Sequence, residues 1–230
     1  MRLFARVLAE FIGTFAVVLI GAGAVCADAA LRITGAPGLG LLGIAIAQGL
    51  AYAVMISATG PVSGGHLNPA VSIGFWVTRR LGMFDLILYG AAQLLGGVAA
   101  ARLLIWMLPE TLWRAVSLGT PQLGYDFTRT PAMAMEAVLT FFLVFVFFLT
   151  TARTGMEFPK LGGFATGLAA TACILFGGPF TGAAMNPARA LGPAWLSHHW
   201  ANHGVYWIGP LLGGVVAAWV CDRILLPQAD

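Results

Sequence analysis

Long apolar stretches alternate with short polar turns along this 230-residue chain. Six stretches have about the 20 residues that a helix needs to cross a hydrocarbon layer. They cover approximately 4–25, 39–59, 83–107, a segment after Pro131 that includes 141–149, 161–177 and 205–226. Two further runs, from Pro69 and from Pro187, end after about ten residues, or roughly 15 Å of helix. The pattern predicts an all-α membrane protein with six spans and two half-spans.

Both half-spans begin with a small-residue loop that leads into Asn-Pro-Ala. Asparagine is a favoured helix N-cap, and proline fits the first helical position because the N–H that it lacks would be unpaired there. The two motifs are Asn68, Pro69 and Ala70, and Asn186, Pro187 and Ala188. If the two N-termini meet near the membrane midplane, their positive ends favour the oxygen of a neutral molecule and repel cations. We therefore expect a filter for uncharged solutes.

The two halves of the chain repeat. Leu-Leu-Gly-Gly-Val occurs at 94–98 and again at 211–215, and Gly-Leu-Ala occurs at 49–51 and at 167–169. The halves, roughly 1–107 and 131–230, are joined by the polar connection 108–130, and we expect them to form one domain. Each half has three spans, an odd number, so the second half must be inverted in the membrane. Inverted repeats of this kind place the substrate path on their pseudo-twofold axis.

Composition narrows the function. Hydrophobic residues make up 59% of the chain and charged residues only 9%, whereas soluble domains carry about 25% charge. The net charge of +3 is scattered, so we do not expect nucleic acid as a partner. No nucleophile–base pair or metal-ligand spacing indicates an enzyme or a cofactor. The distribution of basic residues predicts that both termini are cytoplasmic, and the short polar loops favour a bacterial inner membrane.

Four of the ionisable residues in or beside the apolar segments are candidates for a role in the site. Arg189 lies in the first turn of the second half-span, where a cation opposes the helix dipole, and we interpret it as a pore-lining donor and cation barrier. Glu10 and Glu136 are expected to accept N–H groups from the adjacent loops. Because buried carboxylates also relay protons, a proton-coupled secondary transporter is the alternative. His66 is expected to pack against the first loop, with pH gating as its alternative role.

Over nearly its whole length, the chain resembles the aquaporin family (major intrinsic proteins). The resemblance rests on the paired Asn-Pro-Ala loops, their spacing, Arg189 and the glutamates of the first and fourth spans. The resemblance implies a right-handed bundle of six helices and two half-helices. It also implies a homotetramer in membrane lipid with one pore in each subunit. Each pore would conduct water or small neutral solutes passively, without catalysis.

The resemblance further implies an outer constriction formed by Gln48, Ile174, Ala183 and Arg189. Water-selective members usually have Phe and His at the first two positions, and glycerol facilitators have Trp and Gly. Isoleucine with alanine and arginine is more similar to plant nodulin-like or tonoplast-type members, several of which pass glycerol, urea, ammonia or undissociated metalloid acids. Ala190, where glycerol facilitators have Asp, is closer to the water channels. We expect a constriction wider than one for water alone.

Overall fold

The protein is described by a computed structural model that covers residues 2–151 and 161–226. All regular elements in these two ranges are helices. In chain order they are α1 (Leu3–Ile33), α2 (Gly40–Ser63), α3 (Pro69–Val77), α4 (Met83–Met107), α5 (Glu110–Ala115), a 3-10 turn (Ser117–Gly119), α6 (Arg129–Thr151), α7 (Gly162–Thr181), α8 (Pro187–Ser197) and α9 (Val205–Val220), which continues into a π-helical turn (Cys221–Leu225). Six helices are long and apolar enough to cross a membrane, and α3 and α8 are half-length. The predicted six spans and two half-spans are confirmed.

The first span is longer than the apolar pattern indicated. The apolar pattern predicts an end near residue 25 and a polar loop before residue 39, which would contain Asp28 and Arg32. This prediction is wrong, because α1 continues to Ile33. The two side chains are four residues apart and form an ion pair, with 2.8 Å between Arg32 Nε and Asp28 Oδ2. Asp28 Oδ1 also accepts the Gly40 N–H at 2.7 Å. Charged residues therefore support the last turns of α1 and the start of α2.

The connection between the halves carries structure of its own. It contains α5 and the 3-10 turn, which ends at Gly119 against α1. Gly119 has a φ of +68°, and a Cβ there would lie 2.7 Å from the carbonyl oxygen of Ala22. A glycine is therefore needed for this close approach. The short polar loop that the sequence predicts around Arg153, Glu157 and Lys160 lies outside the described residues.

The repeated Leu-Leu-Gly-Gly-Val segment explains how the halves interlock. Its second glycine is Gly97 in α4 and Gly214 in α9. A Cβ on Gly97 would lie 2.5 Å from the carbonyl oxygen of Ala188, and a Cβ on Gly214 would lie 2.6 Å from that of Ala70. The third span of each half thus packs backbone to backbone against the half-helix of the other, as small residues allow in membrane proteins. This packing fixes where the two half-helices begin.

Candidate functional site

Each motif asparagine caps its own half-helix. The Oδ1 atom of Asn68 accepts the N–H of Ala70 at 2.8 Å, and Oδ1 of Asn186 accepts the N–H of Ala188 at 2.9 Å. Both asparagines have extended backbone angles, as N-caps do, and both are fully buried. The local sequence Asn-Pro-Ala therefore produces the same helix start twice.

The amide nitrogens of the same two asparagines cross to the opposite loop. Asn68 Nδ2 donates to the carbonyl oxygen of Met185 at 2.8 Å, and Asn186 Nδ2 donates to that of Leu67 at 2.9 Å. Leu67 and Met185 directly precede the asparagines, and both have a φ near +50°. The two loops are joined tip to tip by a reciprocal pair of hydrogen bonds, so the N-termini of α3 and α8 meet inside the protein.

Two fully buried glutamates accept hydrogen bonds from the loops. Glu136 accepts from the Thr181 hydroxyl at 2.6 Å, the Ala184 N–H at 3.0 Å and the Met185 N–H at 2.8 Å. Glu10 accepts from the Ser63 hydroxyl at 2.6 Å, the His66 N–H at 3.0 Å, the Leu67 N–H at 2.7 Å and the Gln93 amide at 2.8 Å. Lipid offers no partner to irregular backbone, so each carboxylate supplies the acceptors that its loop needs.

His66 lies against the first loop, surrounded by aromatic rings. Its Nδ1 is 3.1 Å from the hydroxyl oxygen of Ser72. Its ring centroid is 4.5 Å from that of Phe75, 5.4 Å from that of Tyr89 and 6.0 Å from that of Phe147. The packing contacts expected from the sequence are thus present, and a response of this residue to pH stays a prediction.

A cavity of about 400 Å³ opens on the side of the loops where the connection between the halves lies. Three of the four predicted constriction residues, Gln48, Ile174 and Arg189, line it. The fourth, Ala183, is fully buried in the second loop and is not part of the cavity wall. The other lining residues come mainly from α2, α7 and the connection: Val25, Leu41, Ile44, Ala115, Val116, Gly119, Thr120, Pro121, Gln122, Gly178 and Gly182.

Polar atoms in this cavity wall are only partly satisfied. Arg189 Nη1 donates to the carbonyl oxygen of Gly119 at 2.7 Å, which holds the guanidinium in place. Arg189 Nε and Gln48 Nε2 are buried and have no hydrogen-bond partner within the described ranges. The Gln48 side chain lies against Gly21 of α1, where an added Cβ would be 2.6 Å from Gln48 Oε1. Gln48 therefore lies between α1 and the cavity.

Sequence reasoning missed several residues that support the site. Ser63 and Thr181 hold the glutamates, and Tyr89 and Tyr206 donate to the carbonyl oxygens of Ser63 and Thr181 at 2.7 and 2.9 Å. Both pairs obey the repeat offset of 117 to 118 positions, so the repeat could have identified them. Gly119 carries no such signal, because its role depends on its backbone carbonyl.

The architecture is that of a passive membrane channel for small uncharged molecules. It combines inverted halves, two half-helices joined at their N-termini and a cavity that leads to the joined half-helices. A family model, Major intrinsic protein, matches residues 1–221. The chain belongs to this family, that of the aquaporins, which confirms the resemblance and the fold class. Membership indicates a channel rather than an enzyme.

Curated relatives and a solved structure agree with this assignment. Aquaporin TIP4-4 of Zea mays is 42% identical over 96% of this chain and 87% of its own length. Probable aquaporin TIP3-2 of Arabidopsis thaliana is 38% identical over 97% of this chain and 84% of its own. The aquaglyceroporin from Plasmodium falciparum superposes with a TM-score of 0.83 over 97% of both chains at 24% identity, which shows the shared fold. These matches support a multi-pass membrane protein but give no support to a bacterial inner membrane, since the two relatives are from plants.

Proposed function

We propose that this channel conducts water together with small uncharged solutes, of the size of urea, a small polyol or a metalloid hydroxide, and excludes ions and protons. The observation that carries the proposal is the pair of buried donors, Gln48 Nε2 and Arg189 Nε, that have no partner among the described residues. A buried donor without a partner costs about 1–3 kcal/mol. A hydroxyl or carbonyl oxygen that passes this level therefore gains hydrogen bonds that the protein leaves unmade.

The side chains around the cavity favour a passage wider than one for water only. Ile174 is aliphatic, and the unbranched Gln48 rests against Gly21 at the wall of the cavity. By resemblance, water-selective channels would have an imidazole and a phenyl ring at these two positions. Losing both removes bulk, while the Gln48 amide adds a donor and an acceptor for a polar solute.

Exclusion of ions rests on fixed positive charge. Arg189 is 3% exposed and lies in the first turn of α8, beside the joined N-termini of α3 and α8. The partial positive charge of each helix N-terminus adds to that of the guanidinium. A cation that enters would lose water and meet the positive potential of the guanidinium and of the two helix N-termini.

The proposed assembly is a homotetramer with one pathway in each subunit and both termini on the cytoplasmic side. Exposed apolar side chains on α2 and α7, such as Leu50 and Leu168 at 53% and 56% exposure, offer a face for lipid or a neighbouring subunit. The molecular mass of the detergent-solubilised protein, measured by light scattering with the detergent subtracted, should correspond to four chains. A mass of one chain would contradict the assembly.

The direct test is stopped-flow light scattering on proteoliposomes that contain the purified protein. Water, urea, glycerol and arsenite are compared in the wild type and in the Gln48→Phe/Ile174→His double variant. We expect the double variant to lose solute entry and to keep water flux. Leu42→Phe adds a ring on α2 outside the cavity, at a side chain that is 59% exposed, and serves as control. Solute entry that is unchanged in the double variant would refute the filter.

A further inference from the structure

Tyr52 continues the cavity-lining face of α2 towards the joined loops. Leu41, Ile44 and Gln48 line the outer cavity, and Tyr52 follows Gln48 by four residues. Residues four apart lie on the same face of a helix, and four residues advance it by about 6 Å. Tyr52 therefore occupies the next level inward from Gln48, at the depth of the motif asparagines.

The hydroxyl of Tyr52 reaches one of these asparagines. Asn186 Nδ2 donates to Tyr52 Oη at 2.9 Å as well as to the carbonyl oxygen of Leu67, so both of its N–H groups are used inside the protein. Asn68 Nδ2 donates only to Met185 within the described residues and keeps one N–H free. The two motif amides are thus unequal, because a tyrosine covers one of them.

Tyr52 also differs from the other buried tyrosines. Tyr89 and Tyr206 donate their hydroxyl hydrogens to loop carbonyl oxygens, which makes them supports of the loops. The Tyr52 hydroxyl accepts from Asn186 and has no acceptor for its own hydrogen among the described residues, although the residue is only 2% exposed. Like Gln48 Nε2 and Arg189 Nε, the Tyr52 hydroxyl is a buried donor whose hydrogen has no acceptor among the described residues. Such a donor indicates a partner that the protein does not supply, such as a molecule in transit.

The scaffold does not require a tyrosine at this place. At the repeat offset of 118 positions, which relates Gly49 to Gly167, the counterpart of Tyr52 is Ala170, and it is fully buried. The second half therefore builds the same helix packing with a methyl group. The phenol ring is an addition on one side of the pathway.

We infer that Tyr52 forms a second selectivity site, in which its ring narrows the pathway beside Asn186 and its hydroxyl replaces one asparagine N–H as donor to the passing molecule. This inference rests on the proposed conduction pathway and refines it. The outer constriction admits a solute by size and hydrogen bonding, and Tyr52 then restricts what crosses between the loops. Water passes most readily at this level, and solutes as wide as glycerol pass more slowly than water.

The experiment compares Tyr52→Val and Tyr52→Leu, which remove the ring, with Tyr52→Phe, which removes only the hydroxyl. Water, urea and glycerol permeabilities are measured on proteoliposomes with equal amounts of protein, after thermal unfolding in detergent has shown that each variant is folded. The control is Tyr125→Val, the same change at a fully exposed tyrosine of the connection. We expect the glycerol-to-water ratio to rise at least about tenfold in the valine and leucine variants, since pocket size discriminates by such factors. Tyr52→Phe then assigns the effect to the ring if the wild-type ratio is kept, or to the hydroxyl if the ratio rises.

Folded Tyr52→Val or Tyr52→Leu protein with the wild-type ratios would overturn the inference. Its failure is distinct from failure of the proposed function. Wild-type protein that passes only water, with Tyr52→Val passing glycerol, would refute the proposed solute range and support the Tyr52 site. If the wild-type and Tyr52→Val proteins pass glycerol equally well, the proposed solute range is supported and the Tyr52 site is refuted.

Discussion

Replacing Glu136 with alanine should destabilise the protein severely, because the carboxylate is the acceptor for three buried donors in the second loop. The Thr181 hydroxyl and the Ala184 N–H bond to Oε1, and the Met185 N–H bonds to Oε2. Each orphaned donor costs about 1–3 kcal/mol, so alanine should cost about 3–9 kcal/mol. That is comparable with the whole stability of a typical domain, about 5–15 kcal/mol. Glutamine keeps one oxygen and turns an N–H towards Met185, so only one bond is lost, at about 1–3 kcal/mol.

The assay is thermal unfolding of the purified protein in detergent, followed by permeability measurements on whatever remains folded. The expected order of stability is wild type, Glu136→Gln, Glu136→Ala. Glu10→Ala should be at least as damaging, because Glu10 accepts four hydrogen bonds. A proton-coupled carrier makes the opposite prediction, in which the glutamine variant folds normally and loses gradient-driven uptake. Wild-type stability of Glu136→Ala, or a folded Glu136→Gln that no longer passes solute down its gradient, would refute the structural role.

Three further predictions concern the cavity and the outer loop. A Cβ at Gly21 would lie 2.6 Å from Gln48 Oε1, whereas an ordinary contact begins at 3.4 Å. Gly21→Ala should therefore push the amide roughly 0.8 Å into the cavity and lower solute entry. Adding Gln48→Ala to this variant should restore entry, and the control Gly23→Ala should leave entry unchanged. Arg189→Val should let protons or cations leak, as a pH-sensitive dye inside proteoliposomes would report, and tight vesicles would contradict the charge barrier. Burial lowers the pKa of His203, whose Nε2 accepts an indole N–H at 3.1 Å. The folded state therefore favours the neutral ring, and the protein should lose stability as pH falls below the ordinary pKa of histidine. Between pH 8 and 5, the unfolding temperature should fall more steeply with pH in the wild type than in His203→Phe.

The sequence was most informative where the chemistry is local. Asn-Pro-Ala predicts a capped helix start on its own, and both starts are found at Pro69 and Pro187. The length of each apolar run predicts a span or a half-span, and the repeat predicts inversion. These inferences need only helix geometry and membrane thickness, which do not depend on the rest of the fold.

The sequence was less informative where the site depends on residues brought together from distant parts of the chain. Nothing near Gly119 indicates that its carbonyl oxygen holds Arg189, 70 positions away. Tyr52 reads as an ordinary apolar residue of α2 until its hydroxyl is found beside Asn186. The end of α1 was misjudged because Asp28 and its arginine partner resemble a polar turn, whereas at a spacing of four they stabilise a helix.

The repeat also separates the scaffold from the selectivity of the pathway. Features that occur in both halves, such as Ser63 with Thr181, maintain the loops and the helix packing. The polar side chains proposed to meet the solute, Gln48, Tyr52 and Arg189, break the repeat. Their counterparts at the offset of 118 positions are Thr166, Ala170 and Val71. A symmetric scaffold builds one passage along its axis. In the proposed mechanism, the residues that depart from the symmetry give that passage its chemical preference, because solutes would meet one polar wall formed by α2 and the start of α8.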